Sequence, residues 1–493
     1  MTHFFPYDEL TWPEVAALRR DTPLVIPIGE GYDLGKLAEA LGDPARAGLL
    51  PAIPYGWPGS GLAVADGRRD AGDPFAKMVS NLLDSLQDDG FSRVYALQPQ
   101  GLELGLGARG LVQWHESQLR ATAPSPNPSQ REGDQAPSPP GRGLGRGSAI
   151  QGHENQLRAA APSPNPSQRE GDPAPSPPGR GVGRGSAIQG HENQLRATAP
   201  SPNPSQREGD PAPSPPGRGL GRGSAPLPDD ADRDKCVLIP IGHTEQHGYH
   251  LPLSTDTLII GAIGHGAEMA APEEAICLPP FPYGASTHRS SFAGTLNVGG
   301  RAFEDFWLAV VDTLVGRGFR KLYLMSGHGG NCSFLVNVIK YAGERHRRIF
   351  CATAWLHTNG HIAGPVLMST RLSGRGGMGH AGELETAMIL ALRSDLTHME
   401  RVVDETDFVA TESYYMDWIE GGALVANPPW DDDTATGAYG AGSLATAEHG
   451  RLWLDAAIAE KVAHVREIHE QHRRREERRV AGFGLWGTTT KAA

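Results

Sequence analysis

Short unbroken apolar runs alternate with amphipathic stretches through the second half of the chain. VLIPIG (237–242), AICLPP (275–280), KLYLMSG (321–327) and IFCATAW (349–355) are too short for helices and too continuous for strands with one wet face. They predict strands buried on both sides. Apolar positions at helical spacing predict helices over 257–270, 302–317, 332–347 and 381–394, then a long charged helix from about 443 to 478. The alternation implies an α/β fold, a mostly parallel sheet flanked by helices, with functional loops at the carboxyl ends of strands.

The first 112 residues repeat part of this pattern. Ile26-Pro27-Ile28-Gly29 matches Ile239-Pro240-Ile241-Gly242, and Pro54-Tyr55-Gly56 matches Pro282-Tyr283-Gly284. Gly90-Phe91-Ser92-Arg93-Val94-Tyr95 matches Gly318-Phe319-Arg320-Lys321-Leu322-Tyr323, with the same offset of 228 residues as the Pro-Tyr-Gly pair. An amphipathic stretch lies between them in both places. We read 1–112 as a shortened, degenerate half-copy of the start of the second half, kept for packing.

Between these halves a unit of 38 residues recurs, beginning at His115, His153 and His191. It is dominated by Pro, Gly, Ser and Arg, and its middle copy has no aromatic residue. Such a segment buries too little apolar surface to offset its ordering entropy, so 113–226 is expected to be a disordered insertion, and 481–493 a flexible tail. Long loops add only a logarithmic closure entropy. A chain joining residue 114 directly to 227 is therefore expected to keep its melting temperature and metal content; lost solubility on deletion would contradict this.

Composition narrows the class. A formal charge of -12 over 493 residues argues against nucleic acid as a partner. No apolar run approaches a membrane span, and the start MTHFFPYDELTW lacks a leader pattern, so the expected setting is cytoplasmic. Cys236, Cys277, Cys332 and Cys351 sit in or beside apolar runs without CxxC spacing, which reads as small core residues of a reduced protein.

Three polar clusters fall after the expected strands or at helix starts. The first runs Gly242-His243-Thr244-Glu245-Gln246-His247-Gly248-Tyr249-His250 and on to Asp256. The second is Ser326-Gly327-His328-Gly329-Gly330-Asn331, the third Gly379-His380-Ala381-Gly382-Glu383-Leu384-Glu385. Imidazoles and carboxylates in loops suit zinc, manganese or iron. Glu245 and His247, two apart in extended chain, would point the same way, and His380 and Glu383 would share a helix face. Alone, a Gly-His-Gly-Gly turn is a flexible helix start and a Glu-Gln-His stretch a polar loop. The three together favour a site.

GHTEQHGYHLPLSTD is similar to the creatininase family's glutamate-glutamine-histidine-glycine-x-histidine-leucine-proline motif with its downstream aspartate. SGHGGN resembles the family's glycine-histidine turn, HAGELET its late histidine-glutamate helix, and Phe292-Ala293-Gly294-Thr295-Leu296 the stretch between. The resemblance runs from about 236 to the C-terminal helix. It implies a three-layer creatininase-like catalytic domain over 227–480 and a site for two divalent metal ions. Glu245, His247, Asp256 and His328 match family ligands, Asp256 in the bridging place. Two departures stand out. A glutamate ligand of the creatinine-hydrolysing members is replaced by Gly330, which leaves Glu383 as the best substitute, and His288 stands one residue from the family's mid-chain histidine.

The expected reaction is metal-assisted hydrolysis of a non-peptide C–N bond in a cyclic or linear small-molecule amide. His380 or Glu383 would pass the proton to the leaving nitrogen. The resemblance also implies a homo-oligomer. Within the family, formamide deformylation and peptide hydrolysis are the alternatives; outside it, a non-catalytic oligomeric scaffold, which the N-terminal copy fits and the second half does not.

Overall fold

The computed structural model describes residues 2–64, 73–113, 119–121, 227–287, 291–356 and 360–482, and all of them belong to one compact unit. In the N-terminal part, β1 (His3–Pro6), α1 (Trp12–Ala16), β2 (Leu24–Pro27), α2 (Leu34–Ala40) and β3 (Arg46–Leu49) precede α3 (Pro74–Asp88) and β4 (Val94–Pro99). Strands β5 (Gly110–Gln113) and β6 (Leu119–Ala121) complete a sheet of order β1-β3-β2-β4-β5-β6. That sheet continues past the boundary expected at 112, because β6 pairs antiparallel with β5 inside the segment read as an insertion. The remainder of that insertion, and the tail beyond 482, lie outside the described residues.

The second half builds β7 (Cys236–Ile241), α4 (Thr255–Ala270), β8 (Ala275–Cys277), α5 (Gly300–Gly316), β9 (Lys321–Ser326), α6 (Gly329–Arg345) and β10 (Phe350–Ala354). Helices α7 (Ala363–Thr370), α8 (Glu383–Arg393) and α9 (Ala447–Val480) follow. The sheet is parallel, in the order β10-β9-β7-β8. Its central strand explains the unbroken apolar pattern. Val237, Ile239 and Ile241 face one core with α5, while Cys236 and Leu238 face another with α4 and α9. Both faces of the sheet are therefore covered, and the expected α/β class and three-layer arrangement hold. Thr446 caps α9 by accepting from the His449 amide at 3.1 Å, which places the start of that helix at Ala447, about four residues after the expected one.

The two sheets share strand order and register. β3-β2-β4-β5 corresponds to β8-β7-β9-β10. Leu24 pairs with Val94 as Val237 pairs with Leu322, and Val25 with Leu49 as Leu238 with Cys277. Even the proline near the end of each central strand is bracketed alike. Ile53 N–H donates to the Pro27 carbonyl at 2.8 Å and Phe281 N–H to that of Pro240 at 2.9 Å. A proline is tolerated there because the bond uses its carbonyl, not the N–H it lacks.

The halves pack through α3 and α5. Phe75 of α3 meets Phe306 of α5 with ring centroids 6.2 Å apart, and Tyr55 packs on Phe281 and Trp307. Polar bonds cross the same boundary: the Tyr283 hydroxyl donates to the Pro51 carbonyl at 2.5 Å, and Thr313 to that of Ala63 at 3.2 Å. One apolar core thus contains residues of both halves.

Candidate active site

Three chain segments meet at the carboxyl end of β7 and β9. The loop after β7 carries His243, Glu245 and His247 and ends in the first turn of α4, where Asp256 sits. β9 ends at Ser326, and His328 is the extended residue that opens α6. His380 lies just before α8, and Glu385 lies in its first turn. Asn331 holds two of these segments together, donating to the Gly242 carbonyl at 3.2 Å and accepting from Ala285 N–H at 3.0 Å.

The side chains form one continuous buried cluster. His328 Nδ1 is 3.0 Å from Glu245 Oε1 and 3.3 Å from Asp256 Oδ2. His247 Nε2 is 3.2 Å from Asp256 Oδ1 and 3.7 Å from Glu385 Oε2. His380 Nδ1 is 3.7 Å from Glu245 Oε1 and 3.9 Å from Glu385 Oε2. Asp256 therefore lies between His247 and His328, one oxygen towards each. Ligand-type atoms of the groups His243–Glu245–His328, Glu245–His247–His380 and His247–Asp256–Glu385 lie within 4.8 Å of one another in each group.

Backbone contacts select the tautomer of each imidazole. A carbonyl can only accept, so His247 Nδ1 donates to the Glu245 carbonyl at 3.1 Å, His328 Nε2 to that of Ala285 at 3.0 Å, and His380 Nε2 to that of Gln246 at 2.7 Å. Each then turns its other nitrogen towards the carboxylates, a position from which it can give up a proton and ligate a metal, the arrangement that metal-binding histidines adopt. His243 is reversed. Its Nδ1 accepts from Gly284 N–H at 2.9 Å, so the nitrogen 4.0 Å from Glu245 Oε2 carries the proton. His243 faces the cluster as a donor.

The electrostatics match a cation site. Burial alone would push the Asp256 carboxyl up, but His247 and His328 outweigh it and hold it well below the usual carboxylate range. Burial pushes Glu385 up to about 7. Burial also disfavours the charged form of His328, yet Glu245 and Asp256 raise it to about 9. Three carboxylates and several imidazoles packed together this way are a set of oxygen and nitrogen donors suited to divalent transition ions. The donor set fits a metal site.

Of the residues singled out in the sequence, the structure brings together Glu245, His247, Asp256, His328 and His380. Glu383 is elsewhere. Its two oxygens accept from the Leu372 and Ser373 amides at 2.9 and 2.7 Å, so it anchors the chain before α8. Helix-face spacing does not apply to His380 and Glu383, because the helix begins only at Glu383 and Ala381 takes φ +52° in the turn before it. The carboxylate that enters the cluster is Glu385, held by Ala381 N–H at 2.6 Å and the Trp418 indole at 3.2 Å. Starting α8 after Gly382 would have revealed it, since the first turn then carries both glutamates. His243 was quoted within its motif but given no role. His288 lies outside the described residues. Position 330 has no room for a side chain: a Cβ on Gly330 would collide with His328 Nε2 and stand 2.5 Å from the Ala285 carbonyl.

Aromatic side chains roof the cluster. Trp430 meets His380 with ring centroids 4.9 Å apart and packs on Tyr439, with Phe292 in the same buried group. Gln246 ties this roof down by donating to the Gly437 carbonyl at 2.8 Å. Trp12, from the N-terminal half, donates its indole N–H to the Thr436 carbonyl at 2.8 Å and packs on Tyr249 and Phe292. No signal in the sequence pointed to Trp12.

Comparison with known proteins agrees with this region. The family profile Creatininase, described as creatinine amidohydrolase, matches residues 225–465. Creatinine amidohydrolase of Pseudomonas putida is 30% identical over 186 residues, covering 34% of this chain and 69% of the relative. A mycofactocin precursor peptide peptidase of Mycobacterium ulcerans is 33% identical over 177 residues, covering 34% of this chain and 62% of the relative. The chain spans about three-fifths of the length of the peptidase relatives it matches. A solved structure described as "Creatininase Mn" aligns with a TM-score of 0.41 at 25% identity, covering 48% of this chain and 92% of its own.

Proposed function

Because the chain belongs to the creatininase family, we propose that it is a metal-dependent amidohydrolase that cleaves a C–N bond of a small cyclic or linear amide. The observation that carries this reading is that His247, His328 and His380 each bond one ring nitrogen to a backbone carbonyl and turn the other towards three buried carboxylates. Those residues would hold two divalent ions, zinc, manganese or iron, with Asp256 between them. When bound, such ions lower the pKa of a water towards neutrality and polarise a carbonyl.

The chain's own residues do the rest. Glu245 and Asp256 hold the imidazoles in place from both sides. His243 presents an N–H where a developing oxyanion or leaving nitrogen needs a donor. That donor supports His243 in the proton-side role, rather than His380, whose Nε2 is bonded to the Gln246 carbonyl, or Glu383, which is engaged with backbone. Trp430, Tyr439 and Phe292 exclude bulk water from the reacting atoms. A peptide substrate is the second reading, favoured by the identity to the peptidase relatives. Assembly into a homo-oligomer is supported by large apolar side chains left exposed on and beside α7, among them Trp355, Met368 and Leu372. Among the described residues no helix is long and apolar enough to cross a membrane.

The test is metal analysis of purified protein, followed by a hydrolysis screen over lactams, formamides and short peptides with manganese, zinc or iron supplied. Protein without transition metal and without activity on any amide would favour a scaffold. A paired substitution separates the two glutamates of α8. Glu385→Gln is expected to release metal, because it removes a charged donor from the cluster. Glu383→Gln should leave metal content unchanged and lower the melting temperature, because a buried acceptor of two amides is weakened, at a cost of about 1–3 kcal/mol. The reverse pattern would exchange their roles.

A further inference from the structure

A cleft of about 480 Å³ lies between α3 and the segment that leads from Tyr283 to α5. Asp84, Asp88 and Asp89 line one wall, and Ser286, Thr295 and Asn297 the other. The second wall adjoins the segments that carry the candidate metal ligands. Thr295 Oγ1 accepts at 3.2 Å from the amide of Gln246, the residue between Glu245 and His247, and Ser286 follows the alanine whose carbonyl holds His328.

The charge of the cleft is one-sided. Asp84 is neutralised by Arg109, whose Nη1 is 2.6 Å away. Among the described residues, Asp88 and Asp89 make no ion pair and neither lysine nor arginine lines the cleft. Arg20 acts on Asp89 only through space, since its guanidinium donates to the carbonyls of Val15, Ala16 and Leu18. Asp89 is held in position by Gly294 N–H at 2.7 Å. Opposite the carboxylates is the hydroxyl of Ser286, a residue 4% exposed whose oxygen has no hydrogen-bond partner among the described residues. Buried hydroxyls are nearly always satisfied, so an unsatisfied one in a cleft wall points to a missing donor or acceptor.

We propose that this cleft binds a primary ammonium group on the part of the substrate remote from the scissile amide. An ammonium carries three donors and no acceptor, which matches two carboxylates and one hydroxyl. The inference rests on the amidohydrolase reading for the word substrate, and it gives the N-terminal half a direct part in recognition: α3 contributes the charge and the metal-bearing half the hydroxyl. Neutral amides of the same size would lack this anchor.

Butylammonium and 1-butanol, titrated into the full-length protein and followed by NMR or calorimetry, test the cleft without requiring turnover. Metal content is measured on the same samples. Butylammonium should bind at least tenfold more tightly than butanol, weaken as salt rises, and lose about tenfold in Asp88→Asn and in Asp89→Asn. Ser286→Ala should weaken it severalfold, and butanol binding should not change in any variant. Asp88 is exposed and engaged by no described cation, so Asp88→Asn remains informative if Asp89→Asn disturbs the Gly294 turn. Equal binding of the two probes, or unchanged ammonium binding in both aspartate variants, would overturn the proposal. Ammonium binding in a protein that holds no metal would leave the cleft intact and remove the hydrolase reading instead.

Discussion

Asp256→Ala is expected to strip the protein of most of its metal and almost all of its activity. The carboxylate stands between the two halves of the cluster, with Oδ1 3.2 Å from His247 and Oδ2 3.3 Å from His328. No neighbour can take its place, because Glu245 and Glu385 are already engaged with other imidazoles or with the Ala381 amide. Removing it takes a negative charge and a donor from a wholly buried site, so any metal held there would lose both a ligand and charge compensation. If the bound ions supply several kcal/mol of transition-state stabilisation, the loss corresponds to at least about a thousandfold in rate. Elemental analysis per chain, with kcat/KM on whichever amide the screen identifies, reads both effects. A circular dichroism spectrum matching the parent would show that the fold survives. Two metals per chain retained in this variant would end the bridging assignment.

The fold was legible because its signals are local or periodic. Unbroken apolar runs marked β7 and β9, and one offset of 228 residues aligned Pro54-Tyr55-Gly56 and Gly90-Phe91 with their counterparts before any register was visible. The ligand loop was legible for a similar reason: five His, Glu and Asp side chains cluster within fourteen positions after a strand, and that crowding has few structural explanations. What failed was position along a helix start. Placing α8 two residues early put His380 and Glu383 on one face, whereas the turn at Ala381 rotates Glu385 into the cluster and Glu383 away from it. The tautomer of His243 was illegible for a different reason. It depends on an amide, that of Gly284, forty-one residues distant, and no periodicity encodes such a contact. Trp12 reaches its place on the roof across an even longer separation.

Expressing residues 227–493 alone should give a protein that aggregates or changes its assembly, and whose activity collapses. The packing argument comes first. α5 buries Phe306 and Trp307 against Phe75 and Tyr55, so removing residues 1–112 opens a broad apolar face of the kind that drives self-association. Partners for polar groups leave with it: the Tyr283 hydroxyl loses the Pro51 carbonyl, and Thr313 loses that of Ala63. The effect on the site is separate and more specific. Leu253 N–H donates to the Leu10 carbonyl at 3.0 Å and Ser254 N–H to that of Asp8 at 2.9 Å, which fixes the chain two residues before Asp256. Trp12 in turn pins the loop that carries Tyr439. The N-terminal lobe, which supplies none of the candidate ligands named above, is thus read as a built-in pseudo-subunit that shapes the loop and the roof of the site. Trp12→Ala in the full-length chain isolates the second effect from the first. It should lower kcat/KM by about tenfold or more, a loss of roughly 1.4 kcal/mol, while leaving the oligomeric state as it was. Light scattering and kinetics on the fragment and on Trp12→Ala decide the matter. A fragment that stays soluble, with the same assembly and full activity, would leave the N-terminal half a passenger.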